Sequence, residues 1–172
     1  MNKTNTNLTF MGNPLKVVGK AATEGTQCPA FTLTGNGMED VTQAFIAGKT
    51  AILMVVPSLD TPVCSIEVKK FAKEAAGFQN VVLLAVSEDL PFAQKRWCTL
   101  EAVGTNTSAA SDYKYRSFGE AFGCWLPDVA LLARSVFVVD AKNTIRHVEY
   151  VTELSTEPDY AAAIEAVRVC QS

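Results

Sequence analysis

The stretch AILMVVPSLDTPVCSIEVKKFAKEAAGF, residues 51–78, joins two contrasting patterns. Its first six residues are apolar with no polar alternation, which is typical of a central strand that is covered on both faces. Between Glu67 and Phe78 the apolar side chains recur with the period of a helix. Cys64 therefore lies at the junction between a buried strand and a helix. It is either a small buried residue or a nucleophile.

The same alternation of strands and helices continues on both sides of this stretch. The residue pattern predicts a hairpin over residues 8–19 with its turn at Gly12 to Pro14, followed by four further strands and three helices. The predicted strands cover residues 31–35, 80–89, 135–139 and 144–150, and the predicted helices cover 90–100, 117–122 and a C-terminal segment that starts with a capping box at Thr156 and Asp159. This order indicates an α/β protein, and we expect one domain over residues 1–172.

Composition and charge exclude several classes of protein. Apolar residues make up 48% of the 172 residues and charged residues 19%, a profile typical of globular proteins. The net charge is −3 without a basic block, which argues against nucleic acid as a partner. The longest apolar runs are too short to span a bilayer, and the first ten residues, MNKTNTNLTF, lack the apolar segment of a secretory signal. We therefore expect a cytoplasmic protein that binds neither membrane nor nucleic acid.

The cysteine pattern excludes the common dithiol and metal motifs. The chain has five cysteines and one histidine, His147, and it contains no C-x-x-C pair. A thioredoxin-type dithiol motif, a paired-knuckle zinc site and a histidine-rich metal site are therefore all absent from the sequence. In a reducing compartment the cysteines are expected to remain thiols unless chemistry oxidises them.

The position of Cys64 favours a reactive sulfur. Unpaired backbone N–H groups and the helix dipole at a helix N-terminus both favour a thiolate over a thiol. The hydroxyl of Thr61, three residues earlier, is close enough in sequence to donate to that thiolate or to accept from a bound peroxide. Pro57 and Pro62 stiffen the loop and add no competing donor.

Pro57, Thr61 and Cys64 form a P-x-x-x-T-x-x-C pattern that resembles the active-site motif of the peroxiredoxins. The segments PSLDTPVC, SEDLPFAQKRWC, LLARSVFVVD and TELSTEPDYAAAI resemble the bacterial thiol peroxidase branch of that family. Together with GNPLKVVG near the start, the resemblance covers nearly the whole chain. It implies a thioredoxin-like fold, a central mixed sheet flanked by helices, with an N-terminal β-hairpin extension.

The resemblance also implies a role for each matching residue. Cys64 would be the peroxidatic cysteine and Cys98 the resolving cysteine, joined as an intrachain disulfide of the atypical two-cysteine type. Arg134 would hold the thiolate and polarise the peroxide, and Thr61 and Pro57 would complete the pocket, which Pro57 shields from water. The implied substrates are hydrogen peroxide and alkyl or lipid hydroperoxides, the implied reductant is thioredoxin, and the implied assembly is a homodimer. No metal or organic cofactor is implied, because sulfur supplies the chemistry.

Alternative interpretations remain for several residues and for the whole chain. Cys98 alone reads as a core residue at a helix end, and Arg134 as half of a surface salt bridge. We expect burial for Cys28 and Cys124 and exposure for Cys170, none of which has a family role. The chain is alternatively a peroxide sensor or a non-catalytic thioredoxin-like interaction domain, whereas the missing C-x-x-C disfavours a thiol–disulfide oxidoreductase.

Overall fold

A central seven-stranded sheet organises the chain, whose computed structural model describes residues 7–172. The strands are β1 Thr9–Phe10, β2 Asn13–Pro14, β3 Thr32–Gly35, β4 Asp40–Thr42, β5 Thr50–Val55, β6 Val81–Ser87, β7 Thr107–Ser111, β8 Trp125–Leu126, β9 Leu131–Leu132, β10 Ser135–Val139 and β11 Ile145–Tyr150. The helices are α1 Pro62–Ala75, α2 Pro91–Glu101, α3 Ser117–Ala121 and α4 Tyr160–Gln171, with a 3-10 turn at Gln43–Phe45. None of the helices in the described part is long and apolar enough to cross a membrane.

The sheet is mixed, and its strand order is β11-β10-β5-β6-β7-β3-β4. The strands β5, β6 and β7 run parallel, whereas β10 pairs antiparallel with β5 and β3 pairs antiparallel with β7. Parallel neighbours need a crossover, and α1 and α2 supply the two crossovers. The carboxyl ends of β5 and β6 therefore lie beside each other, and each leads into a helix that carries a cysteine.

Side chains of β5 fill two hydrophobic cores, one on each face of the sheet. Leu53 and Val55 pack into the core that contains the aromatic side chains of α3, and Ile52 and Met54 pack into the core beneath α1 and α4. Every residue of β5 is buried, because helices or loops cover both faces. The prediction of a central strand at this position is confirmed.

The N-terminal hairpin is shorter than predicted, and its turn lies one residue earlier. Met11 and Gly12 occupy the turn with φ angles of 50° and 79°, so Asn13 and Pro14 belong to the second strand. Two positive φ angles in succession suit the right-handed twist of a two-residue hairpin, and glycine adopts one of them without steric cost. Backbone hydrogen bonds between Thr9 and the loop after β11 fasten the hairpin to the domain.

The structure differs from the sequence-based expectations in two further respects. The strand β7, with the sequence TSAAS, was not predicted, because its small residues carry little β propensity. The proposed capping box at Thr156 is wrong: Asp159 is the N-cap of α4 and accepts a hydrogen bond from the Ala162 N–H at 3.1 Å. The Thr156 hydroxyl instead donates to the carbonyl of Glu153.

The expectation that no secretory signal is present rests partly on residues 1–6, which lie outside the described residues.

Candidate active site

Cys64 is the third residue of α1 and lies at the predicted strand–helix junction. Thr61 is the N-cap residue in an extended conformation, and Pro62 is the first helical residue, where its missing N–H has no consequence. The N–H groups of the first helical turn have no intrahelical acceptor, so they add partial positive charge near the sulfur. The side chain of Cys64 has no exposed surface. Its sulfur is thus held in a dry, electropositive environment.

Arg134 contacts Cys64 directly and is almost fully buried, with 2% of its surface exposed. It lies between β9 and β10, and its Nη2 is 3.2 Å from Cys64 Sγ. The guanidinium makes four hydrogen bonds, of which two go to the carbonyl oxygen of Leu154 at 3.1 Å. Burial alone would lower the pKa of Arg134, but the negative charges of Glu67 and Cys64 outweigh burial and raise it. The structure therefore fixes a permanent cation against the sulfur, and the alternative of a surface salt bridge is wrong for this arginine.

Glu67 completes the buried charge cluster, although it was not predicted as a site residue. Its Oε2 lies 2.5 Å from Arg134 Nη1, and its side chain has no exposed surface. Burial raises the pKa of Glu67 to about 7, and the nearby Arg134 opposes that rise. The buried face of α1 comprises Cys64, Glu67, Val68, Phe71 and Ala75. A glutamate on an otherwise apolar helical face, three residues after the cysteine, was the signal in the sequence.

Thr61 and Pro57 line a small apolar cavity next to the loop that precedes α1. The cavity measures about 190 Å³ and has almost no polar surface. Its walls come from the hairpin, the loop before α1, the β8–β9 connection and the loop after β11, namely Phe10, Leu15, Pro57, Ser58, Thr61, Val129, Leu131 and Leu154. The Thr61 hydroxyl donates to the carbonyl of Ser58 at 3.1 Å, so the oxygen of that hydroxyl remains available as an acceptor. The described contacts include no hydrogen bond from Thr61 to Cys64.

Cys98 is not bonded to Cys64 in this structure. It lies on α2, half-buried, and its sulfur is 4.0 Å from the Asn36 amide nitrogen. Burial raises the pKa of Cys98, and the Asn36 amide opposes that rise. All five cysteines are free. The structure thus brings together four of the five predicted site residues and leaves the fifth on the neighbouring helix.

The remaining cysteines lie in environments that favour the thiol form. Cys28 and Cys124 are buried, as predicted, and burial raises the pKa of Cys28 to about 11 and that of Cys124 further above its ordinary value. Cys170 is half-buried rather than exposed, and burial raises its pKa as well. Among residues 7–172, no cluster of histidine, cysteine and acidic side chains has the geometry of a metal site. Within residues 7–172, Cys64 is the one cysteine whose sulfur accepts a hydrogen bond from a guanidinium.

Comparison with known proteins places this site in a family. The redoxin family model matches residues 23–164. A thiol peroxidase from Listeria innocua is 46% identical over 163 residues, which cover 95% of this chain and 98% of that protein. A thiol peroxidase from Bacillus subtilis is 41% identical over 161 residues, which cover 94% of this chain and 96% of that protein.

Solved structures agree with the sequence comparison. A peroxiredoxin-like protein from Aquifex aeolicus superposes with a TM-score of 0.87 at 32% identity, covering 96% of this chain and 97% of that chain. Mycobacterium tuberculosis AhpC superposes with a TM-score of 0.72 at 24% identity, covering 89% of this chain and 95% of that chain, a likeness that concerns the fold alone. The expected thioredoxin-like fold is confirmed, and the chain belongs to the redoxin family as a thiol peroxidase of the peroxiredoxin type.

Proposed function

We propose that this thiol-dependent peroxidase reduces hydrogen peroxide and organic hydroperoxides with Cys64 as its peroxidatic cysteine. The observation that carries the proposal is the 3.2 Å contact between Arg134 Nη2 and Cys64 Sγ, buried at a helix N-terminus. A fixed cation and unpaired N–H groups favour the thiolate, and the thiolate is the nucleophilic form of cysteine.

In the first step the Cys64 thiolate attacks one oxygen of the peroxide. A sulfur–oxygen bond forms as the oxygen–oxygen bond breaks, and the leaving oxygen takes a proton to become an alcohol or water. Cys64 is oxidised to the sulfenic acid and the peroxide is reduced by two electrons. Negative charge develops on the leaving oxygen, and the preorganised guanidinium of Arg134 stabilises that charge. The free lone pairs of Thr61 suit the role of acceptor for the peroxide O–H.

The apolar cavity beside Thr61 and Pro57 supports the inclusion of alkyl or lipid hydroperoxides among the substrates. A hydrocarbon tail that enters the cavity removes apolar surface from water, at about 25 cal/mol for each square ångström buried. Hydrogen peroxide gains nothing from this surface. The cavity therefore favours organic hydroperoxides in binding, while the charged cluster performs the same chemistry on both substrates.

In the second step Cys98 attacks the sulfenic acid of Cys64. An intrachain disulfide forms and water leaves, and this reaction protects Cys64 from irreversible oxidation to the sulfinic acid. A dithiol reductant of the thioredoxin type then returns both cysteines to thiols by exchange. The cycle needs no metal or organic cofactor, and it fits a reducing compartment such as the cytoplasm.

We further propose that the chain functions as a homodimer. Phe10, Met11 and Val129 expose 44%, 77% and 42% of their surfaces, and Phe10 and Val129 also line the apolar cavity. Exposed apolar side chains in one region are a feature of protein interfaces. Sedimentation velocity tests the proposed homodimer, and a monomer at micromolar concentration would contradict it.

The test of the peroxidase cycle is peroxide-dependent NADPH consumption with thioredoxin and its reductase. We expect Cys64→Ser to abolish turnover, and Cys98→Ser to stop after one equivalent of peroxide. Cys170→Ser, on a half-buried thiol outside the site, is the matched control. Peptide mapping of the oxidised wild type should find a Cys64–Cys98 disulfide. Turnover that survives Cys64→Ser would refute the proposal, and oxidation of the wild type without turnover would indicate a peroxide sensor or another reductant.

A further inference from the structure

The two proposed redox cysteines are held against distant parts of the sheet. Cys64 contacts Arg134, which directly precedes β10, whereas Cys98 contacts Asn36, which directly follows β3. The strands β10 and β3 lie four positions apart in the sheet, about 19 Å at the usual strand spacing. A disulfide needs Cα atoms within about 7 Å. Both cysteines are free thiols, and each is held by its own partner, so we expect the helix that carries Cys98 to move before the disulfide can form.

Asp89 ties the loop that leads into that helix to the loop before Cys64. The Asp89 carboxylate accepts hydrogen bonds from the Ser58 hydroxyl at 2.7 Å, from the Leu59 N–H at 2.7 Å and from the Ser87 hydroxyl at 2.8 Å. Ser58 and Leu59 belong to the segment between β5 and α1, and Asp89 belongs to the segment between β6 and α2. One carboxylate therefore joins the two segments that lead into the cysteine-bearing helices.

The hydrogen bonds continue from Asp89 into α2. The Ser87 hydroxyl also accepts from Gln94 Nε2 at 3.0 Å, and both of these side chains are fully buried. Gln94 lies one helical turn before Cys98 on the same helical face. A direct side-chain tie between α1 and α2, the ion pair of Lys69 with Glu101, lies at the surface and contributes little. The charge-assisted bonds of Asp89 are thus the stronger connection.

We propose that Asp89 is a positioning residue that latches α2 to the loop preceding Cys64, and so controls how readily Cys98 leaves its place to resolve the oxidised Cys64. The proposal rests on the proposed role of Cys98. Weaker latching frees α2 more often, so the sulfenic acid of Cys64 meets Cys98 sooner. Since a second peroxide competes for the same sulfenic acid, faster resolution lowers the yield of sulfinic acid.

The variant Asp89→Asn tests the latch because it keeps the shape and removes the charge. Asp60→Asn is the matched control, since Asp60 is an exposed carboxylate in the loop that contains Ser58 and Leu59, and its side chain makes no hydrogen bond in the described contacts. In the reduced protein we expect amide hydrogen exchange over residues 95–101 to rise at least tenfold in Asp89→Asn and to stay unchanged in Asp60→Asn. Exchange in β6 should not change in either variant.

The second measurement follows oxidation by stopped-flow fluorescence of Trp97, the residue before Cys98. Mass spectrometry of the intact protein then quantifies the disulfide and sulfinic acid products. We expect the peroxide-independent step to be at least threefold faster in Asp89→Asn, with a matching fall in sulfinic acid at high peroxide concentration. Unchanged exchange, or raised exchange with unchanged resolution, would overturn the latch. If Asp89→Asn does not fold, Ser58→Ala, which removes one of the three bonds, is expected to show the same shifts at smaller size.

The same experiment separates this proposal from the proposed function. Absence of a Cys64–Cys98 disulfide in oxidised wild type would refute the resolving role of Cys98, whatever the variants do. A disulfide in the wild type, with Asp89→Asn and Asp60→Asn indistinguishable, would refute the latch and leave the peroxidase cycle standing.

Discussion

Glu67 and Cys64 bind the two terminal nitrogens of one guanidinium, with Glu67 Oε2 at 2.5 Å from Arg134 Nη1 and Cys64 Sγ at 3.2 Å from Arg134 Nη2. The two acidic groups lie on adjacent turns of α1, and none of the three side chains exposes more than 2% of its surface. The arginine therefore cannot move toward one partner without loosening its contact with the other. This shared cation is the structural basis of the first two predictions.

Arg134→Lys should slow the oxidation of Cys64 by about a hundredfold, because removal of one preorganised donor from an anionic site has effects of that order. A lysine keeps the positive charge but cannot span Glu67, Cys64 and the Leu154 carbonyl at once. The second-order rate constant of thiol oxidation, measured by stopped flow, checks the prediction. Arg146→Lys, at an exposed ion pair with Asp140, serves as the control. A loss of less than threefold in Arg134→Lys would contradict the assigned role.

Glu67 should make the free energy of unfolding depend on pH. Burial raises its pKa to about 7 in the folded chain from an ordinary value of 4.5. The folded state therefore binds the Glu67 proton more tightly than the unfolded state does. Proton binding stabilises the folded state fully below about pH 4.5, and this stabilisation is lost as the pH rises through 7. The contribution is on the order of 3 kcal/mol.

Urea denaturation between pH 5 and pH 8 measures that contribution in Glu67→Gln, which cannot titrate. We expect the variant to lose a part of the decline in stability that the wild type shows over this range, and the rest to persist because burial also raises the pKa of Glu88 to about 7 and that of Asp112 to about 6. Glu165→Gln, at an exposed ion pair with Arg168, should keep the slope of the wild type. Equal slopes in all three proteins would show that Glu67 does not bind the proton.

Thr61→Val should reduce the rate of peroxide reduction about tenfold, which corresponds to the loss of one hydrogen bond of about 1.4 kcal/mol in the transition state. Valine keeps the shape of the side chain but offers no acceptor to the peroxide. Thr61→Ser keeps the oxygen and should retain most of the activity. A serine variant as slow as the valine variant would mean that the methyl group, rather than the hydroxyl, matters at this position.

Val129→Trp should shift the substrate preference, because the larger side chain fills the mouth of the apolar cavity. We expect the ratio of kcat/KM for cumene hydroperoxide to kcat/KM for hydrogen peroxide to fall at least tenfold. Val169→Trp, on the exposed face of α4, controls for the added bulk. An unchanged ratio in Val129→Trp would indicate that organic substrates do not use this cavity.

The sequence pattern predicted the parts of the fold that have strong periodicity. The strand β5, its junction with α1, and the helix α2 with Pro91 at its first position all follow from local patterns of apolar residues and caps. The strand β7 was missed because TSAAS has almost no pattern of its own, and it is held by pairing with β6 and β3. Its stability comes from neighbours that are distant in sequence.

The site was predictable to the extent that its residues share a motif. Cys64, Thr61 and Pro57 lie within eight residues, but the partners of Arg134 depend on contacts between distant segments. The acceptor for two of its hydrogen bonds is a backbone carbonyl, that of Leu154, and no side-chain pattern marks a carbonyl. The Asn36 contact of Cys98 likewise depends on how the β3–β4 connection packs against α2.

The cation that contacts Cys64 comes from far along the chain, since Arg134 follows Cys64 by 70 residues and Leu154, whose carbonyl binds Arg134, lies a further 20 residues on. A ribosome that has released the chain only as far as α2 therefore exposes Cys64 without its cation and without the carbonyl that orients that cation. We expect such a nascent chain to lack the Arg134 contact on which the proposed peroxide chemistry depends. We expect peroxide reactivity to appear only after residue 154 has left the ribosome, so the order of translation delays the oxidation of Cys64 even though Cys98 has already emerged.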